Sequence, residues 1–245
     1  MLLSAFCSDA GLRMAGALRT ELAPFLAADP LHPLRPELLQ AAYRMLRCAE
    51  NLECYSALHE NLLKAKIIDF SADCSAVIHA AQEVLCSAPN NLRFNHYTAA
   101  LPVAVNQSAL ITVLLNLICN SLLYGGAHPV ISIHIMRQGG RAVLILSDNG
   151  PGIPLHRQHR ALQPFESNSH LPSFGLGLPL AILFARRFKG TFTIESQPGK
   201  GLRAALSLPL CNTAKTSTPL DSAALLADRF SPIYTQLSPR CILPE

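Results

Sequence analysis

Ala142-Val143-Leu144-Ile145-Leu146-Ser147-Asp148-Asn149-Gly150-Pro151-Gly152-Ile153 decides the fold. Residues 142–146 are a continuous apolar run and read as a buried strand, which ends on a carboxylate and then breaks into a glycine-rich turn. Asp-Asn-Gly is also an ordinary turn signature. What sets it apart is a carboxylate at the strand end, able to accept a hydrogen bond from an amine in a half-buried pocket. Gly150 and Gly152 beside it let backbone approach where a Cβ would clash.

The neighbouring stretches make the turn a ligand loop. In Leu110-Ile111-Thr112-Val113-Leu114-Leu115-Asn116-Leu117-Ile118-Cys119-Asn120-Ser121-Leu122-Leu123-Tyr124 the apolar residues recur at helical spacing, and Asn116 and Asn120, four apart, share a face. Two carboxamides on an apolar helix are costly to bury unless something polar meets them. An Asn oxygen is a hard ligand suited to Mg²⁺ held beside phosphates. Further on, Phe174-Gly175-Leu176-Gly177-Leu178-Pro179 opens an apolar helix whose glycine-rich N-terminus can receive phosphate oxygens.

In this order and spacing the three stretches resemble the ATP-binding domain of sensor histidine kinases, of the GHKL superfamily shared with DNA gyrase, large heat-shock chaperones and mismatch-repair ATPases. Asn116 to Asn120 matches the N box, Asp148 to Gly152 the G1 box, Pro164-Phe165 the end of the F box, and Gly175 to Gly177 the G2 box. Gly199-Lys200-Gly201 resembles the last glycine turn before the closing strand. The resemblance covers roughly residues 67 to 210. It implies that Asp148 accepts from the adenine amino group, that Asn120 ligates Mg²⁺ bridging the phosphates of ATP, and that Asn116 supports it. Gly150, Gly152, Gly175 and Gly177 would let backbone approach nucleotide, with Tyr124 near the base or ribose.

The chain has 245 residues, half of them apolar, enough for one large core plus a smaller helical unit. No run approaching the roughly 20 apolar residues of a membrane span is read from the sequence, and the N-terminus lacks a basic start, so a cytoplasmic protein is expected. Eight cysteines lie scattered with no Cys-x-x-Cys pair, which fits reduced core residues. The net charge of +4 is mild and no basic face interleaved with aromatics argues for nucleic acid.

The expected class is α+β: an antiparallel helical hairpin over residues 1–65, an α/β sandwich of the Bergerat type over 66–210, and a tail over 211–245. A helix is predicted from Ser8 to Ala28, a break at Asp29-Pro30-Leu31-His32-Pro33, and a second helix with Leu38, Ala42, Met45, Ala49 and Leu52 in a heptad-like stripe. In histidine kinases such a hairpin dimerises into a four-helix bundle and carries the phosphoacceptor. A homodimer and a response regulator or partner kinase are the implied partners. Gly16-Ala17-Leu18-Arg19-Thr20-Glu21-Leu22 resembles the H box, but Gly16 stands at the acceptor position and has no nucleophile.

Two further departures bear on chemistry. Leu123 stands where the family often has Lys, and Glu166-Ser167-Asn168-Ser169-His170-Leu171-Pro172-Ser173, the lid, carries no Arg or Lys. Cations that stabilise the transferring γ-phosphoryl are therefore missing from both usual sources. The two expectations are a histidine-kinase-like signalling protein that binds Mg-ATP and, alternatively, a pseudokinase scaffold. An anti-sigma-type serine kinase shares the ATPase fold but normally lacks the hairpin. A disordered tail is the simplest expectation, with packing of Phe230, Ile233, Tyr234, Ile242 and Leu243 on the body as its rival; a short helix over Ser222–Phe230 and an extended docking segment at Ser231-Pro232-Ile233-Tyr234 fit the pattern.

Overall fold

The computed structural model describes residues 35–85, 91–126, 128–166, 175–213 and 215–241. The predicted first helix, the Gly16 position and most of the lid lie outside them. Along the chain come α1 (Arg35–His59), β1 (Lys66–Asp69), α2 (Phe70–Leu85), β2 (Asn91–Asn95), β3 (Pro102–Val105), α3 (Gln107–Tyr124), β4 (Val130–Gln138) and β5 (Arg141–Asp148). They are followed by α4 (Leu155–Ala161), α5 (Gly177–Arg187), β6 (Thr191–Ser196), β7 (Leu202–Pro209), α6 (Ser222–Ala227) and α7 (Pro232–Leu237).

The main sheet has five strands in the order β2-β4-β5-β7-β6, with β2 parallel to β4 and every other pair antiparallel. The period-two pattern turns one face inward: Ile131, Ile133, Leu144, Leu146, Ala204 and Leu206 are buried. The helices α3 and α5 cover that face through Leu114, Ile118, Leu122, Leu180 and Phe184, all buried. Each such side chain stabilises the fold by about 1.5–3 kcal/mol relative to exposure. α3 is long and apolar enough to cross a membrane by composition, yet 67% of it is buried inside the domain, which makes it the core helix.

β1 and β3 form their own two-stranded antiparallel sheet, with Lys66 opposite Val105, rather than extending the main one. Helix α2 begins at Phe70, where Asp69 Oδ1 accepts from Ser71 N at 3.0 Å and from Ala72 N at 3.4 Å and so caps its start.

The stripe predicted on α1 splits. Ala42 and Ala49 turn inward with Tyr43 and Leu46, all buried against the ATPase-like body, while Leu38 (53% exposed) and Met45 (56%) stay outside. The inner face follows positions 42, 46 and 49, one helical row, and packs on α3, α5 and α7.

The tail is ordered where a disordered segment was expected. Ser217 N donates to Ile67 O at 2.8 Å and Leu220 N to Asp73 Oδ1 at 2.9 Å, tying it along β1 and α2. Ser231 to Tyr234, expected to be extended, opens α7, with Pro232 in the first turn where its missing N–H is not needed. Ile233, Thr235, Gln236 and Leu237 are buried, and Thr235 Oγ1 and Gln236 Nε2 donate to Glu50 of α1 at 2.7 and 3.3 Å. Tyr43 donates to Arg229 O at 2.7 Å and stacks on Phe230. Burial pushes the Tyr43 phenol up to about 12.

Leu237→Ala should cost about 2–5 kcal/mol, read as a lowered denaturant midpoint. Burial also pushes the Cys241 thiol up to about 12, leaving almost no thiolate at pH 8. Releasing α7 returns that thiol towards the free value of about 8.5, so the variant should alkylate faster at Cys241 in a mass-spectrometric assay. Equal rates in both proteins would show that the tail does not dock.

Candidate functional site

Helix α3 starts on Asn106, whose side chain accepts from Ala109 N at 3.0 Å. From there the helix drives its polar residues into the body on one face. Asn116 is fully buried and fully engaged: its Nδ2 donates to Asn51 Oδ1 at 2.7 Å and to Thr112 O at 2.9 Å, and its Oδ1 accepts from Asn51 Nδ2 at 3.1 Å. The polar group that meets this carboxamide is thus another carboxamide, from α1. One turn on, Asn120 is half-buried and no side-chain hydrogen bond engages it among the described residues. Its carboxamide lies against Gly177, where a Cβ would push it out of its present position.

The next residue of α3, Ser121, meets the carboxylate that ends β5. Ser121 Oγ donates to Asp148 Oδ2 at 2.8 Å, and Asp148 Oδ1 accepts from Gly150 N at 2.9 Å and from Leu202 N at 3.1 Å. Three donors from α3, the G1-like loop and β7 therefore fix its plane, with lone pairs left over for a ligand. Gly152 has φ +72 and sits against the Gln197 carbonyl, which binds the loop to the turn before β7. Gly199 N closes that joint on Pro151 O at 2.7 Å.

Between these elements lies a cavity of about 340 Å³. Asn116, Asn120, Tyr124, Asp148, Gly150, Gly152, Gly175 and Gly177, all eight site residues expected from the sequence, line it. Tyr124 stands at the rim, 47% exposed. Its polar lining combines the Asp148 carboxylate, the Asn120 carboxamide and the N-terminal residues of α5. Among the described residues no group of three His, Cys, Asp or Glu side chains could hold a metal ion alone. A lone Asn oxygen fits Mg²⁺, which takes one or two protein ligands and the rest from phosphate and water.

The cavity also contains residues that sequence reasoning missed. Arg47, Cys48 and Asn51 of α1 form part of its wall, and Arg47 is only 3% exposed. Arg157 of α4 also lines it but is exposed, whereas Lys200 does not line it. Leu123 packs on the core, so no cation stands at that place. Phe165, at the end of the F-box-like stretch, adopts φ +65 and meets Tyr55 of α1 edge-on at 5.9 Å. No spacing rule linked α1 to the site. A buried-type stripe containing Arg47 and Asn51 at an interval of four was the available signal.

Residues 105–212 match the family of histidine kinase-, DNA gyrase B- and HSP90-like ATPases, and this part of the chain is an ATP-binding domain of that GHKL class. Its type is that of the sensor histidine kinases. The chain is 32% identical over 139 residues to the sensor-like histidine kinase SenX3 of Mycobacterium tuberculosis, covering 55% of this chain and 32% of SenX3. It is 27% identical over 190 residues to the sensor histidine kinase ZraS of Escherichia coli, covering 77% of this chain and 40% of ZraS. It therefore spans about a third to two-fifths of these relatives' length. The fold is shared with full-length ShkA in complex with AMPPNP (TM-score 0.64, 15% identity, 87% of this chain and 46% of that one). It is also shared with the Acinetobacter baumannii histidine kinase AdeS (TM-score 0.56, 22% identity, 83% and 98%).

Truncating Asn51 removes two hydrogen bonds from the buried Asn116 carboxamide and leaves it Thr112 O and the long contact from Arg47. Asn51→Ala should cost about 1–3 kcal/mol. Combined with Asn116→Ala in a double-mutant cycle by urea denaturation, it should give a coupling of about 0.5–3 kcal/mol. Strict additivity would mean that α1 does not pair with α3 in solution.

Proposed function

We propose that this chain binds Mg-ATP in the cavity between α3, the 148–152 loop and α5, and serves as a histidine-kinase-like signal transduction protein. The observation that carries this reading is the presence of two ligand groups, from β5 and from α3, in the lining of one cavity. The Asp148 carboxylate is held by three hydrogen bonds, and the unengaged Asn120 carboxamide lies against Gly177. Asp148 would accept from the adenine amino group. Asn120 would hold Mg²⁺ together with phosphate oxygens, and the ion supplies charge neutralisation on the phosphates. The α5 N-terminus would add backbone donors. ShkA, which shares the fold, was solved with AMPPNP, and this supports a nucleotide as the ligand.

The sequence at the acceptor position favours a second reading of the activity. Gly16 provides no phosphoacceptor, so the chain would act as an ATP-binding pseudokinase that docks a response regulator or another kinase. A homodimer built on residues 1–65 remains the proposed assembly, with the exposed Leu38 and Met45 on the side of α1 that faces away from the body. A cytoplasmic location for the domain belongs to the same proposal.

Titration with Mg-ATP should raise the melting temperature, as any ligand bound only by the native state does. Asp148→Asn should weaken that binding by about tenfold or more, since it loses a hydrogen bond to a charged acceptor. With γ-labelled ATP the unaltered chain should retain no acid-labile label, Gly16→His should acquire it, and Asn120→Ala in that background should lose it again. Label on the unaltered chain that Asn120→Ala abolishes would overturn the pseudokinase reading. Absence of any ATP-dependent thermal shift would overturn the nucleotide site itself.

A further inference from the structure

Arg47 lines the cavity with no acidic partner among the described residues. It sits in the middle of α1, 3% exposed, with one Nη donating to Asn116 Oδ1 at 3.4 Å. Its Nε is buried with no hydrogen-bond partner, and no carboxylate pairs with the guanidinium among the described residues. Burying a cation uncompensated costs several kcal/mol, and arginine stays charged at any pH the fold survives. A protein that keeps such a group in the wall of a ligand cavity leaves a place for a negative ligand group.

The position along α3 says which part of the ligand that is. Ser121, bonded to Asp148, lines the cavity. Asn116, which holds Arg47, comes five residues earlier, about 7.5 Å along the helix axis and beyond Asn120. Along α3 the order is therefore the partner of the base acceptor, the metal-type carboxamide, and the partner of the buried guanidinium. A planar fork suits phosphate oxygens better than any other common anion of a nucleotide.

We propose that Arg47 binds the terminal phosphate of the nucleoside triphosphate, a cation delivered from helix α1 of the same chain in place of those missing at Leu123 and in the lid. The Asn51–Asn116 pair positions the helix that carries it. The proposal rests on the nucleotide-site reading and adds to it that triphosphate is distinguished from diphosphate by α1, so that docking of the hairpin helix and the identity of the nucleotide are coupled.

The test is calorimetric titration of the full chain with Mg-ADP and with Mg-AMPPNP, a triphosphate analogue that resists transfer, in the unaltered protein, Arg47→Met and Arg47→Gln. The unaltered chain should prefer the triphosphate. Both neutral variants should bind ADP unchanged while losing about tenfold or more in AMPPNP affinity, as expected for a charge-assisted contact. ADP binding serves as the control for an intact site, and Gln keeps a donor for Asn116 should Met disturb packing. An unchanged AMPPNP-to-ADP ratio in the variants overturns the proposal, as does a parallel loss of both nucleotides in both variants, which would make Arg47 a prop of the site. Failure of the unaltered chain to bind either nucleotide overturns the nucleotide-site reading and this proposal with it.

Discussion

The reciprocal hydrogen bonds between Asn51 and Asn116, buried in the joint between α1 and α3, are the constraint on which the arrangement depends. Neither carboxamide could be buried at that depth alone without the loss of its hydrogen bonds to water. Paired, they fix the rotation of α1 about its own axis. That rotation brings Arg47 to the cavity, Tyr43 to the tail strand of backbone at Arg229, and Glu50 to the hydroxyl and amide of α7. One polar contact thus sets where a cation, an aromatic and a carboxylate of the same helix must go.

The tail repeats the logic from the other side. α7 fills the angle between α1 and α3 with Ile233 and Leu237, both fully buried, so α1 is held to the domain by apolar area as well as by its polar pair. In a GHKL domain of histidine kinase type, a helix N-terminal to the domain that joins the cavity wall would make the proposed nucleotide binding and helix docking one equilibrium. A ligand that binds only the docked form stabilises it by mass action, and anything that pulls α1 away weakens the ligand's hold equally.

Much of this was legible in the sequence, for local reasons. The strand-then-carboxylate pattern at 142–148, the Asn116/Asn120 interval and the two glycine turns each lie within one element or its adjoining loop, and all eight residues picked from them line one cavity. The contribution of α1 was not legible, because Arg47 and Asn51 reach Asn116 across 69 and 65 residues and no period in the chain records such a pairing. The heptad-like stripe misled for a related reason: Leu38 and Met45 fit an apolar template, but the inner row runs through Ala42, Leu46 and Ala49. The tail was misjudged because Ser-Pro after polar linker sequence reads as extended chain, whereas here proline opens a helix whose stability comes from tertiary burial.

Hydrogen exchange of the full chain tests the central claim, that α1 is a wall of the nucleotide site, most directly. Amides of residues 43–51 should already be protected in the free protein and should exchange still more slowly with Mg-AMPPNP, in step with the loop at 148–152. Fast exchange across 43–51, unaltered while the loop responds to nucleotide, would contradict it and would place α1 outside the site.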